Sequence, residues 1–269
     1  MPITKVGDIN IEHYVEGEGP PLLMIMGFSL PASAWGEPFL RELRPHFQVI
    51  RFSNRGTGLT DNPETGYSRR EMADDAAGLL EELGISRAHV LGISMGGTIA
   101  QELALNHPQR VRGLVLGCTG PGRARGVSPS GEVASLMAPM PGLSDEDQIR
   151  KTWPASATPE FIERERGFLE EMLRVYLEQP TPLETAIRQM VEGMSFDSYE
   201  RLPEVTAPTL IVHGDRDQLV PVGNADILGE RIAGSQVRII SGVGHMFFWE
   251  KPEESAEAIV EFLKSAVPA

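Results

Sequence analysis

The chain contains very little cysteine: Cys118 is the one cysteine among its 269 residues. A single thiol cannot form an intramolecular disulfide, so the cysteine content gives no support for secretion. Free cysteine usually behaves as a small buried hydrophobic residue, and we therefore expect Cys118 to lie in the core.

Long apolar runs are also missing. No stretch approaches the ~20 consecutive apolar residues that a transmembrane helix requires. The N-terminal residues MPITKVGDINIEHYVEG lack the basic segment followed by an apolar one that a secretory signal would have. The sequence therefore predicts a cytoplasmic protein without a membrane span.

Basic residues are scarce relative to acidic ones: 24 lysines and arginines face 38 aspartates and glutamates, for a formal net charge of -14. This balance argues against a nucleic-acid partner, and no basic run supplies a local exception. The sequence has neither a cluster with metal-ligand spacing nor a glycine-rich phosphate loop with a lysine, so no metal or cofactor is expected. The expected partner is therefore a small molecule, and the question of a homo-oligomer is left open.

Short apolar runs alternate with amphipathic segments along much of the chain. Because these runs are continuously hydrophobic, they are typical of strands covered on both faces, as in a parallel sheet. Amphipathic segments such as 68–84 predict helices, and the alternation predicts a doubly wound α/β fold. The predicted strands lie within residues 20–27, 47–54, 88–94, 112–120, 209–214 and 236–242.

The alternation lapses between residues 121 and 205. This region has no convincing buried strand, and several prolines divide it into short pieces. Its clearest predicted helices span 161–178 and 182–194. We therefore predict an α/β core formed by residues 1–120 and 206–269, interrupted by a helical cap over residues 121–205, called the cap segment below.

The pentapeptide GISMG, at residues 92–96, places Ser94 between a predicted strand and a predicted helix. A G-x-S-x-G sequence in this context forms a sharp turn that exposes a nucleophilic serine above the edge of a sheet. The flanking glycines lack the Cβ atoms that would clash in such a turn. A turn serine with a purely structural role is the alternative interpretation.

A serine hydroxyl requires a base, and the base requires a third group that orients it. We predict that His245, in a glycine-flanked loop after the last strand, is the base; His213, at the end of the preceding strand, is a weaker candidate. Asp217 is the predicted acid, whereas Asp215 is better suited to binding loop N–H groups. The chain order Ser94, Asp217, His245 is that of the α/β-hydrolases among serine hydrolases.

The chain resembles the α/β-hydrolase superfamily, in particular serine esterases and lactonases that carry a helical lid. The segments MGFSLPASAW, SNRGTGLTD, GISMGG, HGDRDQLVP and GVGH occur in the order expected for such a protein. The resemblance implies an eight-stranded, mostly parallel sheet and an oxyanion hole formed by the backbone N–H groups of Phe28 and Met95. Met26 stands where many relatives have histidine, but a main-chain donor does not depend on that side chain.

Three kinds of function are compatible with these features. The first is a carboxylic ester hydrolase that acts on small to medium hydrophobic substrates through an acyl-enzyme intermediate. The second keeps the same triad but changes the chemistry, as in an enol-lactonase, a carbon–carbon bond hydrolase or a perhydrolase. The third is a ligand receptor built on a hydrolase scaffold. Dehalogenase and epoxide-hydrolase chemistry fit poorly, because their nucleophile is a carboxylate and the turn carries a serine.

Overall fold

An eight-stranded sheet forms the centre of the computed structural model, which describes residues 2–266. Its strands are β1 (Ile3–Val6), β2 (Ile9–Glu16), β3 (Pro21–Ile25), β4 (Gln48–Phe52), β5 (Ala88–Ile93), β6 (Val111–Gly117), β7 (Thr209–Gly214) and β8 (Gln236–Ile240). They follow the order β1-β2-β4-β3-β5-β6-β7-β8 across the sheet. β2 pairs antiparallel with β1 and β4, and all pairs from β4 to β8 are parallel.

Helices follow every strand from β3 onwards and form about half of the described chain outside the sheet. They are α1 (Glu37–Leu43), α2 (Arg69–Glu82), α3 (Met95–Asn106), α4 (Gly131–Met137), α5 (Asp145–Arg150), α6 (Trp153–Ser156), α7 (Pro159–Arg164), α8 (Arg166–Leu177), α9 (Leu183–Ser195), α10 (Gly223–Arg231), α11 (Phe247–Glu250) and α12 (Pro252–Ala266). Within residues 2–266, no helix combines the length and the hydropathy that are needed to cross a bilayer.

The sheet is covered on both faces, which explains the continuous hydrophobicity of its central strands. Every residue of β5 and of β7 is buried. One cluster of buried residues includes Met72 of α2, Ile99 of α3 and Leu228 of α10. A separate cluster includes Phe39 of α1 and Ile259 of α12. The prediction of a doubly wound, mostly parallel α/β fold is therefore confirmed.

The six helices α4–α9 lie between β6 and β7, within the cap segment. The sequence predicts one helix over 161–178, but the structure has two, α7 and α8. The break lies at Glu165, whose φ of -107° and ψ of 30° depart from helical geometry. The described residues of the cap segment form no strand apart from an isolated bridge between Gly122 and Asp197.

Candidate active site

Ser94 occupies a sharp turn between β5 and α3, with φ of 53° and ψ of -121°. Such a positive φ is uncommon for a residue other than glycine and persists only where the surrounding structure enforces it. The Ser94 N–H donates to the Gly117 carbonyl of β6 at 2.9 Å. The Thr119 hydroxyl, just beyond β6, donates to the Ser94 carbonyl at 2.8 Å. The neighbouring strand and its following loop therefore hold the turn through both backbone groups of Ser94.

The glycines two positions before and after Ser94 allow this turn because backbone atoms approach them closely. A Cβ atom on Gly96 would lie 2.0 Å from the Ile25 carbonyl oxygen and 2.7 Å from that of Met26. A Cβ atom on Gly92 would lie 2.2 Å from the Gly96 carbonyl oxygen. Both positions therefore require glycine, for the steric reason that the G-x-S-x-G sequence indicates.

Gly96→Ala is expected to destabilise the protein by about 3 kcal/mol or more, because backbone atoms cannot move aside as a flexible side chain can. Gly131→Ala is the matched control, since a Cβ atom on Gly131 of α4 would meet nothing within 4 Å. The free energy of unfolding in urea measures both changes. An unfolding midpoint for Gly96→Ala equal to that of the parent would contradict the tight approach.

His245 and Asp217 come together in the loops after β8 and β7. His245 Nδ1 lies 2.8 Å from Asp217 Oδ2, and both side chains are buried. The other carboxylate oxygen, Oδ1, accepts hydrogen bonds from the backbone N–H groups of Leu219 and Val220, each at 2.9 Å. The carboxylate is thus fixed in position to accept the Nδ1–H of His245. In the neutral imidazole this leaves Nε2 as a proton acceptor, as a general base requires.

The two weaker candidates from the sequence have other contacts. Asp215 is exposed and accepts hydrogen bonds from the Ser241 hydroxyl at 2.9 Å and from the Gly242 N–H at 2.6 Å. His213 is fully buried, and its Nε2 lies 2.7 Å from the Val220 carbonyl oxygen and 3.2 Å from Asp217 Oδ2. Asp215 therefore holds the turn that follows β8, and His213 supports the carboxylate that faces His245.

Around His245, the effect of neighbouring charges on the pKa values opposes the effect of burial. Burial raises the pKa of Asp217, but the charges and hydrogen bonds of His245 and His213 outweigh it and hold that pKa at about 2. Burial lowers the pKa of His245, but the Asp217 carboxylate outweighs it, so the pKa of the imidazole lies well above its ordinary value. Cys118, buried at the end of β6 beside His245, has a thiol pKa raised by burial and stays neutral.

The loop after β3 lies directly against Ser94 and carries one of the two predicted oxyanion donors. A Cβ atom on Gly27 would lie 3.3 Å from the Ser94 Cβ atom, and Phe28 follows Gly27 in this loop. The second predicted donor is the N–H of Met95, the first residue of α3. The first N–H groups of a helix have no partner within the helix and favour negative charge. Phe28 therefore follows a residue that contacts Ser94, and Met95 follows Ser94 directly, so both predicted donors belong to segments beside the turn.

Three side chains that sequence reasoning missed hold this loop in place. The Asn54 amide donates to the Met26 carbonyl at 3.0 Å. Gln189 Oε1 accepts the Ser29 N–H at 2.9 Å, and the Thr181 hydroxyl donates to the Ser29 carbonyl at 2.8 Å. Ser29 has a φ of 56°, so both of its backbone groups are fixed in a strained conformation by residues of the cap segment. No sequence pattern marks Gln189 or Thr181.

A cavity opens in front of Ser94 and encloses about 1120 Å³, including its opening to solvent. Both Ser94 and His245 line it. Much of the remaining wall is apolar and comes from the cap segment and the His245 loop, with Met137, Met140, Ile149, Trp153, Leu183 and Trp249 among its members. A cavity of this kind suits a small hydrophobic molecule.

The sheet order, the helices on both faces and the strained serine between β5 and α3 define an α/β-hydrolase fold. The profile described as "Alpha/beta hydrolase family" matches residues 22–258. The chain therefore belongs to the alpha/beta hydrolase family.

Two relatives match nearly the whole chain. A putative carbamate hydrolase of Azorhizobium caulinodans is 30% identical, over 97% of this chain and 98% of its own length. The 2-hydroxy-6-oxo-6-phenylhexa-2,4-dienoate hydrolase of Comamonas testosteroni is 28% identical, over 94% of this chain and 91% of its own length. The similarity thus spans the cap segment as well as the core.

Solved structures agree with this assignment. The enol-lactonase of Burkholderia xenovorans LB400 has a TM-score of 0.86 and 25% identity, covering 98% of this chain and 100% of that one. A thermophilic esterase of Thermogutta terrifontis has a TM-score of 0.83 and 28% identity, covering 99% and 100%. Within this superfamily the chain is similar to esterases and lactonases, as the sequence predicts.

Proposed function

We propose that the protein is a serine hydrolase that cleaves carboxylic esters of small to medium hydrophobic substrates through an acyl-enzyme intermediate. The observation that carries this proposal is the arrangement around one cavity. Ser94 and His245 both line it, and the carboxylate of Asp217 lies 2.8 Å from the far side of the imidazole. The apolar wall favours a hydrophobic substrate.

In this mechanism His245 Nε2 takes the proton of the Ser94 hydroxyl as Oγ attacks the ester carbonyl carbon. The carbonyl oxygen becomes negatively charged and accepts hydrogen bonds from the N–H groups of Phe28 and Met95. Collapse of the tetrahedral intermediate breaks the bond to the alcohol oxygen, which receives the proton from His245. A water molecule then repeats the sequence on the acyl-enzyme and releases the acid. Asp217 orients His245 and stabilises its protonated form throughout.

We assign the cap segment, 121–205, the role of a lid over a core formed by 1–120 and 206–269. Met137, Ile149 and Trp153 of this segment line the cavity opposite the sheet. Gln189 and Thr181 also bind both backbone groups of Ser29, next to the proposed donor Phe28. The lid would therefore shape the substrate space and also support the oxyanion loop.

The same triad serves an enol-lactonase, a carbon–carbon bond hydrolase or a perhydrolase, and these form the second candidate. Its support is the similarity to the Burkholderia enol-lactonase and the Comamonas dienoate hydrolase. Ester hydrolysis ranks first because it requires only a serine, its base and an apolar acyl pocket, which Ser94, His245 and the cavity wall would supply. The Thermogutta esterase and the Comamonas hydrolase are equally similar to the chain, at 28% identity each. A ligand receptor on this scaffold is the third and weakest candidate.

Turnover and active-site labelling together test the proposal. We expect hydrolysis of 4-nitrophenyl esters from acetate to octanoate and covalent labelling of Ser94 by a fluorophosphonate, located by peptide mass spectrometry. Protein unfolded by heat is the control, since the label requires an activated serine. Labelling of Ser94 without turnover of any ester or lactone would favour the receptor. Labelling of a different serine would contradict the assigned nucleophile.

A further inference from the structure

The wall of the cavity in front of Ser94 carries few charged side chains. Among the described residues, 2–266, those that line it include no lysine or arginine, and His245 beside Ser94 is the one basic side chain. Its one carboxylate belongs to Asp145, the first residue of α5. Asp145 is exposed, so it lies where the cavity meets solvent. A carboxylate at the far end of an acyl chain, away from His245, would meet a negative charge at the mouth and no lysine or arginine.

Basic side chains that neighbour lining residues are engaged elsewhere. The Lys151 ammonium, next to the lining residue Thr152, donates to the Ala138 carbonyl at 2.6 Å. Arg150, next to the lining residue Ile149, forms ion pairs with Glu146 at 2.8 Å and Glu170 at 2.5 Å. Arg188 of α9 donates to the Pro63 carbonyl at 3.2 Å. Neither guanidinium therefore supplies a free positive charge that could partner a substrate carboxylate without breaking existing contacts.

Asp145 also acts on the polar part of the wall. Tyr176 and Thr181 line the cavity, and the Tyr176 hydroxyl accepts the Thr181 N–H at 3.1 Å. Burial raises the pKa of Tyr176, and the nearby Asp145 carboxylate raises it further. The field of Asp145 therefore reaches a buried wall group, and it opposes any other negative charge placed there.

We propose that the cavity accepts uncharged acyl groups and rejects acyl groups that end in a carboxylate, because its wall is largely apolar and Asp145 adds a negative charge at the mouth. This inference rests on the proposed ester hydrolysis and narrows its substrate class. A carboxylate buried without a cation or sufficient hydrogen-bond donors loses its hydration with little in return. The apolar wall supplies neither a cation nor enough hydrogen-bond donors for the terminal carboxylate, and Asp145 repels that carboxylate.

Two esters of equal length separate charge from size. Mono-(4-nitrophenyl) adipate ends in a carboxylate, and methyl 4-nitrophenyl adipate carries a methyl ester at the same position. We expect kcat/KM of the parent protein to be about 100-fold lower for the mono-ester, because its carboxylate must be desolvated without a partner. Equal kcat/KM values for the two esters would overturn the proposal.

Variants at the mouth test the role of Asp145. Asp145→Asn is expected to raise the ratio of kcat/KM for the mono-ester to kcat/KM for the methyl ester about threefold, the size of an exposed like-charge interaction. Glu132→Gln is the matched control, because Glu132 is an exposed acid in the first turn of α4 and does not line the cavity. Leu183→Arg, at a half-exposed lining position, should raise the mono-ester value about tenfold by supplying a cation. Unchanged selectivity in Asp145→Asn would remove the role assigned to Asp145.

A binding measurement keeps this test separate from the proposed chemistry. With Ser94→Ala, which lacks the proposed nucleophile and so leaves the ester intact, dimethyl adipate is expected to raise the thermal unfolding midpoint at concentrations where monomethyl adipate, at pH 7, does not. If neither 4-nitrophenyl ester is hydrolysed but the two adipates differ in this way, ester hydrolysis fails and the charge selectivity stands. If both adipates stabilise the protein equally, the charge selectivity fails whatever the reaction is.

Discussion

Ser94→Ala is expected to lower kcat for 4-nitrophenyl esters by about five to six orders of magnitude, the loss that follows removal of the nucleophile in a serine hydrolase. The variant keeps His245, Asp217 and the oxyanion donors, so a residual rate above that of water is expected to persist. The measurement is single-turnover kinetics with 4-nitrophenyl hexanoate, together with loss of fluorophosphonate labelling. Turnover equal to that of the parent would show that Ser94 is not the nucleophile.

The backbone at Ser94 provides the control for this substitution. Alanine retains a Cβ atom at a φ of 53°, so the strain of the turn remains and the unfolding midpoint should match that of the parent. Ser94→Gly removes both the nucleophile and the Cβ atom, and it is expected to be equally inactive but about 1 kcal/mol more stable than Ser94→Ala. A loss of activity accompanied by unfolding in both variants would point to a structural role for Ser94 instead.

Five of the six strands that the sequence locates are largely buried. β5 and β7 are buried at every position, so they read as continuous apolar runs. β8, at one edge of the sheet, is located as well, although four of its five residues are exposed. The sequence has no such run at β1 or β2, and β2 carries the polar residues Glu12 and His13 at buried positions. The prediction of a single helix over 161–178 is wrong, because nothing in the hydrophobic periodicity marks the departure of Glu165 from helical geometry.

The residues of the candidate site also fall into those that the sequence could predict and those that it could not. Ser94 stands in a local motif, and His245 and Asp217 follow strands whose carboxyl ends must share one sheet edge, so their proximity could be predicted. The contacts of Ser29 with Gln189 and Thr181 could not, because they join positions 160 and 152 residues apart through the docking of helices. From the sequence, His213 is a weaker candidate for the base. Its position beside Asp217 could not be predicted, because it depends on the path of the loop that brings Val220 to His213.

Asp217→Asn is expected to lower kcat for esters by about four orders of magnitude, as loss of the orienting carboxylate does in other serine hydrolases. The asparagine amide would present a donor or a neutral oxygen to His245 Nδ1, so the imidazole is no longer held with Nε2 free to accept a proton. The carboxylate raises the pKa of His245, and the base must be neutral to act. Its removal should therefore shift the acidic limb of the kcat/KM profile to lower pH, which a pH titration of the residual activity measures.

Asp215→Asn separates this effect from a general loss of charge in the same loop. Asp215 is exposed and binds Ser241 and Gly242. Its replacement should change kcat by less than about threefold and leave the acidic limb of the kcat/KM profile in place. The reason is that an exposed charge interacts weakly with a buried imidazole. The opposite result, a large loss in Asp215→Asn and a small one in Asp217→Asn, would assign the orienting acid to Asp215. If Asp217→Asn lowers kcat but leaves the acidic limb of the kcat/KM profile in place, the carboxylate acts by holding the loop at Leu219 and Val220. The reason is that only its charge raises the pKa of His245.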